Sequence, residues 1–168
     1  VKQNNRIICV LIVKNINMSQ RHIARAITLQ SLFMWDFNGE DSQNLDFYIE
    51  YNIQEFAPEL NLDKDFIRNL ALSAIAHKLE IDTLINRYTK EWPVGRLAVL
   101  DRNILRIAIY EMLYRKEVPT KVALNEAVEL AKQYSGTSAQ KFVSGVLGSI
   151  YADHFKTHEA AIVPGKNP

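Results

Sequence analysis

Two arginines and a histidine stand close together near the start of the first helical stretch of the sequence. Arg21 and Arg25 are four residues apart, so in an α-helix they share one face, and His22 lies at the edge of that face. Guanidinium groups at this spacing can bind phosphate through paired hydrogen bonds. Arginines on an exposed helix face are also commonplace as solvated charge. The cluster is therefore compatible with an anion-binding surface and with an ordinary helix surface.

The sequence gives no indication of an enzyme or of a metal centre. It contains none of the motifs typical of phosphate-binding loops, zinc proteases, serine hydrolases or EF-hands. His154 and His158 are four residues apart, but no third metal ligand accompanies them. The single cysteine, Cys9, leaves neither a disulfide nor a zinc-binding cysteine pair, which favours a reducing compartment. We therefore predict a cytoplasmic binding protein without catalytic residues, cofactors or metals.

Charge is unevenly distributed along the 168 residues, although the net charge is only +1. The net charge is +4 through Phe37, −6 from Asn38 to Glu91, and +3 from Trp92 onward. This pattern predicts separate faces for an anion and for a cationic partner, or else a set of solvated helix surfaces.

Apolar residues recur at helical spacing almost throughout the chain after Met18, with no convincing strand alternation outside residues 7–13. Ser19 and Asp63 are expected N-caps, and Gly39 is expected to end the first helix. The stretch 99–115 is apolar nearly all round, which is typical of a central buried helix. We predict seven helices in an all-α fold, spanning residues 20–37, 45–56, 64–78, 81–88, 99–115, 121–134 and 139–155.

These helices are predicted to form a single domain over residues 19–156. The break at Trp92-Pro93 divides it into an N-terminal half, 19–91, and a C-terminal half, 94–156. Residues 1–18 are expected to lie outside the fold as an extension, because Met18 followed by a capping serine resembles an ordinary start. Residues 157–168 are expected to be a loose tail. No apolar run approaches the roughly 18 residues that a membrane span needs.

Three ordered motifs in the second half resemble the NusB family. They are DRNILRIAIYEML at residues 101–113, VPTKVALNEAVELAK at 118–132 and KFVSGVL at 141–147, with spacing that matches the family. The first helix agrees as well, through the stretch ARAITLQSLFMW at residues 24–35. The resemblance covers about residues 19–152 and is weakest between residues 40 and 90.

The resemblance implies two packed three-helix bundles and a transcription antitermination factor that is not an enzyme. Such proteins bind the single-stranded boxA element of nascent rRNA within the transcription elongation complex, together with the ribosomal protein NusE. By position, the resemblance implies RNA-binding roles for Arg21, His22, Arg25, Lys121, Gln140, Lys141 and Phe142. It implies NusE-binding roles for Phe33 and Asp101.

The chain departs from the family pattern at several of these positions. His22 and Ile23 stand where arginine is common, and Phe33 replaces a tyrosine. We therefore expect weak RNA binding by the chain alone. Two alternatives remain open, namely an RNA-recognition module that serves a separate rRNA methyltransferase, and a homodimeric helical scaffold without an RNA role.

Overall fold

The computed structural model describes residues 19–40, 42–56 and 62–156, and these form seven α-helices without a strand. The predicted all-α fold is confirmed. The predicted extension, 1–18, and tail, 157–168, lie outside the described residues. Within the described residues no helix is long and apolar enough to cross a membrane. The helices are α1 Gln20–Phe37, α2 Leu45–Phe56, α3 Lys64–Ala76, α4 Lys78–Tyr88, α5 Val99–Tyr114, α6 Thr120–Tyr134 and α7 Thr137–Tyr151.

Local signals set several of the helix ends. The Ser19 hydroxyl accepts a hydrogen bond from the backbone N–H of His22, and the Asp63 carboxylate accepts one from the N–H of Phe66, so both predicted N-caps are confirmed. After α1, Gly39 adopts a φ of +88°, which a side chain would disfavour. Helix α7 begins two residues earlier than predicted, directly after Gly136, whose φ is +90°.

The helices surround one continuous apolar core. Helix α1 packs against α2, α3 and α5, while α5 packs against α4, α6 and α7. Helix α5 is buried on almost every side, as its apolar sequence predicts, and Ile104, Leu105 and Ile109 are fully enclosed. Because α1 and α5 contact each other, they join the helices on either side. The division at residues 91 and 94 stays a prediction.

A buried network of charges also fixes α1 against α5. The Asp36 carboxylate near the end of α1 accepts hydrogen bonds from Arg102 and, at 2.8 and 2.9 Å, from Asn103 and Arg106 on α5. The guanidinium of Arg106 also donates to both carboxylate oxygens of Asp82 on α4, at 2.8 Å each. The network therefore positions the end of α1 and the start of α5 side by side.

Candidate nucleic-acid interface

The Arg25 side chain lies in the interior, between α1 and α5. It is 4 % exposed. Its Nε and Nη2 donate to the two carboxylate oxygens of Glu111 at 2.8 and 3.0 Å, and its Nη1 lies 3.5 Å from an oxygen of Glu126. The prediction that Arg25 shares an exposed face with Arg21 is therefore wrong. The physical reason is that α5 and α6 cover this side of α1 and supply the carboxylates that neutralise the buried guanidinium.

His22 is also buried, at 7 % exposure, rather than at the edge of a solvated face. Its Nδ1 lies 2.8 Å from Glu126 and its Nε2 lies 3.3 Å from the side-chain oxygen of Gln133. The hydrogen bond to Glu126 raises the pKa of His22 against the opposing effect of burial. The same bond lowers the pKa of Glu126. The imidazolium has two N–H donors, so the protonated ring satisfies both contacts and ties α1 to α6.

Arg21 is the exposed member of the predicted cluster. Its side chain is 54 % exposed and pairs with Asp63 at 3.2 Å. Its guanidinium carbon lies 4.2 Å from the centre of the Phe66 ring on α3, and that of Arg115, just beyond α5, lies 4.5 Å from the same centre. Cations at this distance are attracted by the electrons of an aromatic face. Phe66 therefore holds two guanidinium groups in place at the start of α1.

These residues form one side of a cleft with a volume of about 300 Å³. The lining also includes the apolar residues Val118, Pro119 and Val122, where the chain turns into α6, and the carboxylates Glu117 and Glu126. The cleft thus combines fixed cations with an apolar wall, and we call it the α1–α6 cleft. The sequence does not identify Phe66, Arg115 and Val122 as site residues. They line the cleft only because three separate segments meet in the folded chain.

The remaining predicted RNA-binding residues lie on the antiparallel pair formed by α6 and α7. Lys121, in the first turn of α6, has its Nζ 5.7 Å from the centre of the Tyr151 ring at the end of α7. Gln140 and Phe142 in the first turns of α7 are half-buried, and Lys141 between them is exposed. Ten residues of α7 separate Lys141 from Tyr151, which is a distance of about 15 Å along the helix.

The exposed cations among the predicted RNA-binding residues, Arg21, Lys121 and Lys141, therefore lie near the two ends of α6 and form an extended surface. Arg21 lies at the same end as Lys121, because Val122, the neighbour of Lys121, lines the cleft with Arg21. His22 contacts Gln133 near the other end of α6, where the chain enters α7 and reaches Lys141. A surface of this kind fits an extended anion better than a compact one.

The two predicted partner-binding residues lie where α1 meets α5. Phe33 is half-buried and its ring stacks on that of Phe37, 5.7 Å away and 68 % exposed. Asp101, in the first turn of α5, has a buried oxygen, Oδ1, with no hydrogen-bond partner among the described residues. The neighbouring residues Asp36 and Arg102 are bonded to each other across the two helices. The structure thus brings the neighbourhoods of Phe33 and Asp101 together.

Only one member of the histidine pair considered as a metal site belongs to the described part of the chain. His154 is exposed, His158 lies outside the described residues, and no group of three or more potential ligands occurs among those described.

Comparison with known proteins agrees with the sequence resemblance. The family model "NusB family" matches residues 22–152. The transcription antitermination protein NusB of Methylacidiphilum infernorum is 39 % identical over 139 residues, which are 81 % of this chain and 93 % of that protein.

Two solved structures share the fold. NusB of T. maritima has a TM-score of 0.73 at 32 % identity, covering 84 % of this chain and 97 % of that one. The structure of antitermination factors NusB and NusE in complex with dsRNA gives 0.71 at 29 % identity, covering 82 % and 99 %. The relatives are antitermination factors and not enzymes. From its motifs, its fold and these relatives, the chain belongs to the NusB family.

Proposed function

We propose that this chain is an antitermination factor that binds boxA-type single-stranded RNA together with a NusE-type ribosomal protein and so promotes rRNA transcription. It acts in the cytoplasm, within the transcription elongation complex. The observation that carries the proposal is the placement of three exposed cations, with Arg21 and Lys121 near one end of α6 and Lys141 near the other. A relative of the same fold has been solved in complex with NusE and dsRNA.

In this proposal Arg21, Lys121 and Lys141 anchor phosphates, and Gln140 and Phe142 contact bases. Arg21 and Lys121 contact the backbone near one end of α6, and Lys141 contacts it near the other. The ring of Phe142 offers a stacking surface, and the amide of Gln140 can donate to and accept from a base edge. Bases are accessible to such contacts only where they are unpaired, which favours single-stranded RNA.

His22 and Arg25 have a different part in the proposal. Both are buried and paired with carboxylates, so neither presents a free cation to RNA. We assign them as positioning residues that fix the start of α1 against α5 and α6, and thereby place Arg21 beside Lys121.

The proposed surface for the NusE-type partner includes Phe33, Phe37 and Asp101. The exposed ring of Phe37 extends the apolar area of Phe33. Asp101, in the first turn of α5, supplies the carboxylate of this surface, and among the described residues its buried Oδ1 has no hydrogen-bond partner.

The salt dependence of RNA binding tests the role of Arg21. We expect Arg21→Gln to flatten the slope of log K against log salt by about 0.7, the contribution of one phosphate contact to a single strand. The measurement is fluorescence anisotropy of a labelled boxA-like RNA, with the NusE-type partner present, over a range of salt concentrations.

Arg68→Gln is the matched control for this experiment. Arg68 is also a partly exposed arginine, 40 % exposed, but it pairs with Asp46 and Glu50 on α2 and lies away from α6. The control should keep the wild-type slope. Equal slopes for the wild type and Arg21→Gln would show that the start of α1 does not contact phosphate.

A further inference from the structure

In the α1–α6 cleft, two guanidinium groups lie over the aromatic ring of Phe66. Phe66 belongs to the apolar core and is 5 % exposed, and the guanidinium groups of Arg21 and Arg115 lie over its ring. Guanidinium groups held in this way lose little further freedom when a ligand binds, and they offer planar surfaces on which nucleic-acid bases can stack.

Two cations of the cleft, Arg21 and Arg115, are only lightly engaged by the protein, whereas Arg25 is held by Glu111. Arg21 pairs with Asp63 and the Nε of Arg115 pairs with Glu117 at 2.7 Å, but both carboxylates are at least half exposed. Surface ion pairs of this kind contribute little and exchange readily with other anions. The Nη1 of Arg115 has no hydrogen-bond partner among the described residues, although it is buried. Arg115, whose side chain lines the cleft and is 18 % exposed, therefore carries a donor that the described part of the protein does not use.

The apolar wall restricts what can fill the cleft. Val118, Pro119 and Val122 offer no hydrogen bond from their side chains, and Val122 is 43 % exposed. An inorganic anion would use the arginines and leave this wall in contact with water. A wholly apolar ligand would use the wall and leave Arg115 unsatisfied. A flat molecule with apolar faces, polar edges and an attached phosphate matches both sides.

We propose that the α1–α6 cleft binds one unpaired nucleotide of the RNA. The base lies between the guanidinium groups over Phe66 and the wall of Val118 and Val122. Its edge accepts a hydrogen bond from Arg115, and its phosphate contacts Arg21. This subsite rests on the proposed function and adds a position at which a single base is bound apart from its neighbours.

An uncharged substitution in the apolar wall distinguishes base binding at this subsite from phosphate binding elsewhere on the surface. Val122→Gln replaces the aliphatic side chain by a longer polar one and alters no charge. We expect it to weaken RNA binding about tenfold with an unchanged salt slope, since the loss is one of base contact and not of phosphate contact. Leu72→Gln is the matched control, because Leu72 on α3 is a similarly exposed aliphatic residue, at 39 %, outside the cleft. It should bind RNA as the wild type does.

A titration with mononucleotides tests the subsite without the long RNA. Adenosine and cytidine monophosphates, added to the full chain, should shift the backbone NMR signals of Arg115, Val118 and Val122, and Val122→Gln should reduce these shifts. Inorganic phosphate should shift the signals of Arg21 but not those of Val118 and Val122.

The two measurements distinguish the subsite from the function on which it rests. Nucleotide-specific shifts at Val118 and Val122 support the subsite even if boxA-like RNA does not bind, in which case the proposed function fails alone. The subsite is overturned if the RNA binds the wild type and Val122→Gln equally, or if nucleotides and phosphate cause the same shifts.

Discussion

At the scale of single residues, the predicted arginine cluster separates into one exposed and one buried guanidinium. A helical wheel places Arg21 and Arg25 on the same side of α1. The spacing cannot reveal that α5 covers only the second of them, because the partner of Arg25 is Glu111, 86 residues further along the chain. The residue types therefore indicate which charges the start of α1 carries, and burial decides which of the two guanidinium groups is exposed.

The Arg25–Glu111 pair gives a prediction about stability. We expect Glu111→Gln to lower the free energy of unfolding by about 3 kcal/mol, since it leaves a buried guanidinium without its main counter-charge. Glu50→Gln, which breaks the exposed pair with Arg68, should have a much smaller effect. Urea unfolding followed by circular dichroism measures both. An equal decrease in the free energy of unfolding in the two variants would mean that the buried pair stabilises the fold no more than a surface pair does.

His22 gives a prediction about pH. The hydrogen bond to Glu126 raises the pKa of His22 above its usual 6.5, so the protonated ring stabilises the fold fully below pH 6.5, and this contribution is lost as pH rises through the folded pKa. The pKa of Glu126 is lowered from its usual 4.5, so its contribution is lost as pH falls through the folded value.

The difference in unfolding free energy between the wild type and His22→Gln should therefore be greatest between about pH 4.5 and 6.5 and should decline at higher pH. Urea unfolding at a series of pH values measures this difference. A difference that grows toward alkaline pH would contradict the proposed contact of protonated His22 with Glu126.

At the scale of the elements, the sequence predicts best what neighbouring residues determine. Ser19 and Asp63 were identifiable as N-caps because a cap needs only a short polar side chain and the N–H groups that follow it. Helix α7 begins two residues before its predicted start, because the residue that precedes it, Gly136, provides no side-chain cap that the sequence could reveal. The contact of α1 with α5 was not predictable, since its polar bonds join residues about 70 positions apart.

Asp36 tests whether that contact holds the two helices together. Burial alone raises the pKa of Asp36, but hydrogen bonds from Arg102 and Asn103 outweigh this effect and lower the pKa. We expect Asp36→Asn to destabilise the fold by about 3 kcal/mol, because Arg106 and Arg102 then lack a shared counter-charge. Native-state hydrogen exchange should show faster exchange in α1 and α5 together.

Asp46→Asn is the control for this measurement, because Asp46 pairs with Arg68 at 66 % exposure and should leave exchange unchanged. Faster exchange in α1 without a change in α5 would show that the Asp36 network does not link the two helices.

At the scale of the whole molecule, α1 separates two proposed binding surfaces. The RNA surface begins at Arg21, and the partner surface begins at Phe33, twelve residues further along the same helix and about 18 Å away. A single rigid helix between them allows RNA and a protein partner to bind at the same time. The helix predicted over residues 20–37 already contains both Arg21 and Phe33, but the residues of other helices that lie beside each of them are identifiable only in the fold.

RNA binding measured with and without the partner tests the proposed function most directly. Anisotropy of a labelled boxA-like RNA is recorded for the wild type, alone and with a NusE-type protein, at several salt concentrations. Asp101→Arg should abolish the effect of the partner. Asp65→Arg, which changes the corresponding first-turn carboxylate of α3, should preserve it. We expect weak, salt-dependent binding by the chain alone and binding about tenfold tighter or more with the partner, a coupling of the usual size between two sites. An absence of salt-dependent binding even with the partner present would contradict the proposed function.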